Sequence, residues 1–376
     1  MSLEDDLFQK KNVVIVGNTS GHHSYIKVLI QLLDNSSLTL IINEVMEQIL
    51  HDTIKNAPNV LRTIVITGTE VFTEDIKAII NDADGVVFDE PFSLVELKAL
   101  MFRKIHAPFY LTVHNCNSWF FPRYGHSPKQ ILVSYLRKRI MRKTHNVIVM
   151  NSNIRDFLRE KKIRKNVLVI PFDYEKNVSP AIVRESDDPR LRVIVPGTVS
   201  NKRDYNKILD IYYRDQFRDT TTLELLGPPV GEYGKKILKR CKEIVSEGYD
   251  IVYYETDQTS LPKEIWLDGL SRADVILTVF DIDYTTIDKQ HEVYGLTKDT
   301  GLSYLALTQA KAAIMPSAYR APREIASQIL PYDTVEEIPG IIMKLIQNPE
   351  ILTDYKKQAA LNASLMNMNS IREQNA

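Results

Sequence analysis

Two stretches of this chain, about 180 residues apart, each run a β-branched segment into a glycine loop and then into a helical pattern. The first is Asn12-Val-Val-Ile-Val-Gly17, followed by Asn-Thr-Ser-Gly21-His22-His23. The second is Leu191-Arg-Val-Ile-Val-Pro-Gly197, followed by Thr198-Val-Ser-Asn-Lys202-Arg203. Neither run alternates polar with apolar residues, so each reads as a strand buried on both faces, as in a parallel sheet covered by helices. Two such starts predict two α/β domains facing each other across a cleft. The length of 376 residues agrees, because a single hydrophobic core stops growing beyond roughly 250–300 residues.

Alternating patterns fill in both halves. Strands are predicted at 12–17, 38–42, 63–67, 85–88, 109–113, 146–149 and 167–170, with helices around 22–33, 73–81, 92–105, 128–143 and 152–161. Such alternation specifies a parallel sheet with right-handed crossovers. Pro171 to Pro189, with its break at Asp187-Asp188-Pro189, reads as a linker. The second half repeats the scheme, with strands at 192–196, 222–226, 250–254, 274–279 and 312–316 and helices at 204–214, 232–246, 262–272, 301–310 and 334–346. Asn348-Pro349 starts a last helix, and 367–376 reads as frayed. The expected domains are therefore 1–175, 176–348, and a terminal helix and tail over 349–376 that returns to the first domain.

Composition narrows the class. With 44% hydrophobic and 25% charged residues the chain is of globular type. No run approaches the roughly 18 apolar residues of a membrane span, and Met1 to Lys11 is too acidic and polar for a signal peptide. Two cysteines, Cys116 and Cys241, speak against a disulfide framework and for a cytoplasmic protein. The net charge of −1 hides an asymmetry: residues 137–165 hold eleven Lys or Arg against Asp156 and Glu160 alone. That excess suits an anionic partner, and Trp119, Phe120 and Phe121 lie just upstream in a predicted loop. The cationic stretch lacks the interleaved aromatics of nucleic-acid readers, so no nucleic acid is expected.

Several constellations could carry chemistry. Thr297-Lys298-Asp-Thr300-Gly301-Leu302-Ser303 precedes a helical run, and amide groups at a helix start, approached through a glycine, suit a diphosphate. Gly197 and Thr198 with Lys202 and Arg203 form a second wall whose cations can neutralise a phosphate leaving group. His114 ends a strand and opens a loop, where an imidazole can orient a sugar hydroxyl. A thiol nucleophile at Cys116 is discounted because nothing nearby lowers its pKa. The adjacent His22 and His23 point apart and make a poor chelating pair. Asp281-Ile-Asp283 offers two carboxylates, but no metal is assigned to them.

Taken in order along the chain, these segments resemble the retaining glycosyltransferases of group 1, the glycogen-synthase-like family of the GT-B fold. Gly17 through Gly21 is similar to the family's glycine-rich first loop, and Thr112-Val-His114-Asn115 to its strand-end histidine motif. Val195-Pro-Gly197 with Lys202 resembles its phosphate segment, and Gly301-Leu-Ser-Tyr-Leu its donor motif. The two glutamates normally found eight positions apart are missing, with Lys298 and Ala306 in their places. Lys298 would suit an acidic donor sugar, and Glu292 could stand in for one lost carboxylate.

The resemblance implies two Rossmann-like domains, a nucleotide-diphosphate-sugar donor on the second, and metal-independent transfer with retention. His114, Lys202 and Arg203 are the expected catalytic residues. Gly197, Thr198, Glu292, Lys298, Thr300, Gly301, Leu302 and Ser303 are the expected donor contacts. Gly17, Gly21, His22 and His23 are expected on the acceptor side. The expected acceptor is a glycan, a lipid-linked glycan or a small molecule. Separately from the resemblance, the cations of 137–165 and the Trp119-Phe-Phe loop suggest an acceptor at an anionic membrane surface. The rivals are a nucleotide-sugar-binding protein without catalysis and a sugar-nucleotide epimerase.

Overall fold

The computed structural model describes residues 6–67, 73–91, 93–102, 105–124, 127–173, 188–286 and 288–375. Its strands are β1 Asn12–Gly17, β2 Ser37–Asn43, β3 Val60–Ile66, β4 Gly85–Phe88, β5 Phe109–Thr112, β6 Asn146–Val149, β7 Asn166–Val169, β8 Leu191–Pro196, β9 Thr221–Leu226, β10 Ile251–Val252, β11 Val275–Leu277, β12 Asp283–Thr285, β13 His291–Val293, β14 Ala312–Pro316 and β15 Ile329–Tyr332. The helices are α1 His23–Leu32, α2 Glu44–Lys55, α3 Glu74–Asn81, α4 Leu94–Phe102, α5 Cys116–Phe120, α6 Pro128–Lys143, α7 Ser152–Glu160, α8 Tyr205–Tyr212, α9 Gly231–Ser246, α10 Lys263–Arg272, α11 Gly301–Thr308, α12 Ile338–Gln347, α13 Pro349–Leu365 and α14 Met368–Glu373.

Two compact units result. The first comprises the described parts of Met1–Lys176, Asp283–Gly301 and Asn367–Ala376; the second, those of Asn177–Ile282 and Leu302–Met366. The partition departs from the sequence boundaries at two places. Residues 283–301, expected in the second domain, belong to the first unit, and the long helix α13 belongs to the second, so only the tail around α14 joins the first. Residues 174–187, within the expected linker, lie outside the described residues.

In the first unit seven strands pair in the order β3-β2-β1-β4-β5-β6-β7, every pair parallel. In the second, six strands pair as β10-β9-β8-β11-β14-β15, again all parallel. Each order reverses beside its first strand, the doubly wound arrangement. The apolar runs explain it: β4 and β6 are buried at every residue and β1 at all but its first, so helices must cover both faces. Tyr25, Ile26 and Leu29 of α1 are fully buried in the first unit. In the second, Val193, Val195, Leu223, Leu225 and Ile314 pack with Tyr205, Leu209, Ile237 and Cys241.

Capping fixes where helices begin. The side chains of Asn43, Thr73 and Asn151 accept from backbone N–H groups at the starts of α2, α3 and α7. Ser127 and Gln130 form a reciprocal capping box at α6, with Pro128 in its first turn. The sequence reading misses α2, which buries only Met46 and Leu50 and so carries a thin apolar stripe. It also misses β15, the short antiparallel β12–β13 hairpin and α5, which occupies part of the expected loop 115–127. The tail is not frayed. Asn375 Oδ1 accepts from Val169 N–H at 2.7 Å, and an Arg372 guanidinium N–H donates to Leu32 O at 2.7 Å. Among the described residues no helix is long and apolar enough to cross a membrane.

Candidate active site

Parallel strands deliver their C-terminal loops to one edge of the sheet, and ligands in such folds bind where the strand order reverses. In the first unit that point lies between β1 and β4, with β5 next. The loop after β1 carries His22, β4 runs directly into Asp89 and Glu90, and β5 is followed by Val113, His114 and Asn115. These side chains converge. His22 Nδ1 lies 2.7 Å from Asp89 Oδ2, and His114 Nε2 lies 3.0 Å from Asp89 Oδ1. The two imidazoles are 4.0 Å apart between ring centres, and Phe172 packs edge-on against both.

Glu90 is buried beside them and holds the next loop in shape. It accepts from His114 N–H at 2.5 Å, Asn115 Nδ2 at 3.1 Å and Trp119 Nε1 at 2.9 Å. Trp119 is therefore an internal residue of α5, fully buried, and not a surface aromatic of an open loop.

Burial pushes the Asp89 carboxyl up, but two imidazole partners outweigh it and hold the group down at about 2. For His22 burial works against the charged form, yet the Asp89 hydrogen bond and charge, with Glu90, raise it above its ordinary 6.5. His114 moves the other way, because burial and repulsion by His22 exceed the pull of Asp89. The outcome is a carboxylate that stays ionised, one imidazole that gains a proton readily, and one that stays neutral.

Among the described residues His22, Asp89 and His114 also bring three metal-ligand atoms within 4.8 Å of one another. Here each imidazole is paired with a carboxylate oxygen. His22 thus partners His114 through Asp89 rather than its neighbour His23, which is the first residue of α1. Gly17 is the buried end of β1, and Gly21 sits in the exposed turn before His22. Cys116 is buried, its thiol pushed well up by desolvation and by Glu292 and Glu90, so it remains protonated.

The segment 283–301 adds Lys298 and Glu292 to this unit. Lys298 Nζ donates to Asn115 Oδ1 at 2.9 Å and lies 5.1 Å over the Tyr284 ring. Its charge opposes protonation of His22. Glu292 is fully buried and turned to α5: its oxygens accept from Asn117 N–H at 3.0 Å, Ser118 N–H at 2.8 Å and Ser118 Oγ at 2.9 Å. That carboxylate is the N-terminal cap of a short helix. Thr300 N–H donates to Asp299 Oδ1 at 2.7 Å, and Gly301 ends this segment of the unit.

In the second unit, β8 ends at Pro196 and Gly197 turns the chain with φ +104°, a left-handed conformation that favours glycine. Arg203 folds back so that its guanidinium donates to Pro196 O, and Tyr205 OH donates to Thr198 O at 3.1 Å. Gly227 admits this loop closely, since a Cβ there would sit 2.1 Å from Gly197 O. Thr198 and Lys202 are exposed at the tip, whereas Leu302 and Ser303 are buried in α11. The expected phosphate loop is therefore a braced glycine turn with Arg203 as its internal clamp.

No protein-family model and no curated protein matches the sequence. Solved structures do match in fold. HepE of Anabaena, solved with UDP, superposes with a TM-score of 0.65 over 97% of this chain and 98% of its own, at 12% identity. WaaB, a lipopolysaccharide outer core galactosyltransferase, gives 0.55 over 94% and 98%, at 12% identity. A Listeria monocytogenes protein described as a UDP-N-acetylglucosamine 2-epimerase gives 0.55 over 93% and 91%, at 13% identity. At these identities the likeness establishes the fold: two parallel α/β sheets of the GT-B type.

Proposed function

We propose that the chain is a glycosyltransferase that moves a sugar from a nucleotide-diphosphate sugar to an acceptor hydroxyl, with His22 as general base. The observation that carries this reading is the His22–Asp89 pair at the strand-order reversal. His22 Nδ1–H donating to the ionised Asp89 fixes the tautomer, so Nε2 is the basic nitrogen. The acceptor O–H gives its proton to Nε2, its oxygen bonds to the anomeric carbon, and the diphosphate departs with the electron pair of the broken C–O bond. Asp89 stabilises the imidazolium that forms, and His114 holds Asp89 from its other side.

The donor side rests on analogy of fold. HepE was solved with UDP and, separately, with UDP and glucose, which supports a UDP-sugar here. In the second unit Gly197, Thr198 and Lys202, with Leu302 and Ser303, remain the proposed diphosphate contacts, Arg203 acting by bracing the glycine loop. Lys298 of the first unit is the proposed contact for an anionic sugar. Charge neutralisation by cations and amide groups needs no metal in this reading. A base on the acceptor favours in-line displacement, hence inversion, in place of the retention that the sequence resemblance implies. The acceptor is a glycan, a lipid-linked glycan or a small molecule, which fits polysaccharide biosynthesis in the cytoplasm.

The test is release of nucleoside diphosphate from a panel of UDP-sugars, with and without glycan and lipid-linked acceptors. Release that depends on acceptor is the expected result. Interconversion of the donor without acceptor would make the chain an epimerase, and UDP binding with no turnover of any donor would make it a sensor or partner protein.

A further inference from the structure

The catalytic reading leaves one surface of the first unit unexplained. Residues 97–155 contain no Asp or Glu, against eleven Lys or Arg. Of the cations in 137–165, three turn inward: Arg137 pairs with Asp288 and lies 5.4 Å over Trp119, Arg155 donates to Gln374 O, and Lys165 donates to Met141 O and Thr144 O. They cannot serve an external partner. Of the other eight, Lys138, Arg139, Arg142 and Lys143 are exposed on α6, and Arg159, Lys161, Lys162 and Arg164 at and beyond the end of α7. On α6, Ile131, Tyr135, Lys138 and Arg142 follow one another at helical spacing, all exposed.

Apolar groups are interspersed with that charge. Ile131 and Tyr135 are each 46% exposed and Tyr124 52%. Lys138 Nζ sits 5.9 Å over the Tyr124 ring, and Arg139 lies 5.8 Å over Tyr135. Helix α4, packed against α6, exposes Val95, Lys98 and Phe102 at the same kind of spacing, with Phe102 73% exposed. Exposed aliphatic and aromatic side chains beside cations, with no acid among them, match a bilayer interface. The rings and Ile131 reach the acyl boundary while the cations meet anionic headgroups. A nucleic acid would satisfy the charge but leave Ile131, Val95 and Phe102 in water.

We infer that α6, with Tyr124 and the exposed stripe of α4, docks this protein on an anionic lipid surface. The inference does not depend on the transfer reaction, since lipid binding is measured without turnover. The experiment is flotation of the full chain with phosphatidylcholine vesicles, with and without phosphatidylglycerol, at low and high salt. Binding should require phosphatidylglycerol and weaken in high salt. The double variant Lys138→Gln/Arg142→Gln should bind about thirtyfold more weakly, each cation near such a surface contributing roughly fivefold. Ile131→Ser/Tyr135→Ser, which leaves every charge in place, should weaken binding by about tenfold. Lys236→Gln/Lys239→Gln on α9 of the second unit should bind as wild type does. Equal binding to neutral vesicles, insensitivity to both α6 variants, or displacement from vesicles by a short RNA duplex at the same salt would overturn the inference.

Discussion

Replacing His22 by alanine should lower kcat by about 10²–10⁴-fold, the range for loss of a positioned general base, with little change in thermal stability. Asp89, one residue beyond β4, is buried between two imidazoles and keeps its His114 partner in the variant. His22 itself sits at the rim, ahead of α1, with its side chain 13% exposed. Truncation therefore removes the proton acceptor and leaves the sheet edge intact. Affinity for UDP should change little, because the proposed diphosphate contacts lie in other segments. A variant that turns over within a few-fold of wild type would remove His22 from the reaction.

The second large effect concerns stability. Glu292→Ala should destabilise the protein by about 3 kcal/mol, because two backbone N–H groups and one hydroxyl at α5 lose a charged acceptor where little water reaches. For a unit of this size that is roughly 6–12 °C in Tm. Glu292→Gln, which keeps one carbonyl oxygen, should lose about half as much. The sequence reading places Glu292 on the donor. Unchanged stability with weakened nucleoside-diphosphate affinity would support that role, and a large Tm loss with unchanged affinity supports the cap.

Much of the scaffold was legible because fully apolar β-branched runs have one comfortable environment, a parallel sheet covered on both faces. Asn12–Gly17, Gly85–Phe88 and Asn146–Val149 are strands at the expected positions for that reason. Elements whose stability comes from partners distant in sequence were not legible. α5 exists because Glu292 caps it and Glu90 binds Trp119, contacts spanning 174 and 29 positions. β12 and β13 are three residues each, too short for a period to register.

For the site, His22 and His114 stood out as residue types, but the carboxylate that joins them did not. A signal was present: Asp89-Glu90 follows a buried strand directly, and the pairing order puts that strand end beside the His22 loop. Strand order, rather than spacing along the chain, makes neighbours of residues 67 positions apart.

The most direct test of the central claim is the pH dependence of kcat/KM between pH 5 and 9. Only neutral His22 can take the acceptor proton, and its pKa is raised above 6.5. Asp89, at about 2, stays ionised throughout. The rate should therefore be low in acid and climb along a single limb whose midpoint lies above 6.5, and His22→Gln should abolish that limb with the residual rate. A flat wild-type profile, or a limb that survives in His22→Gln, would contradict the account.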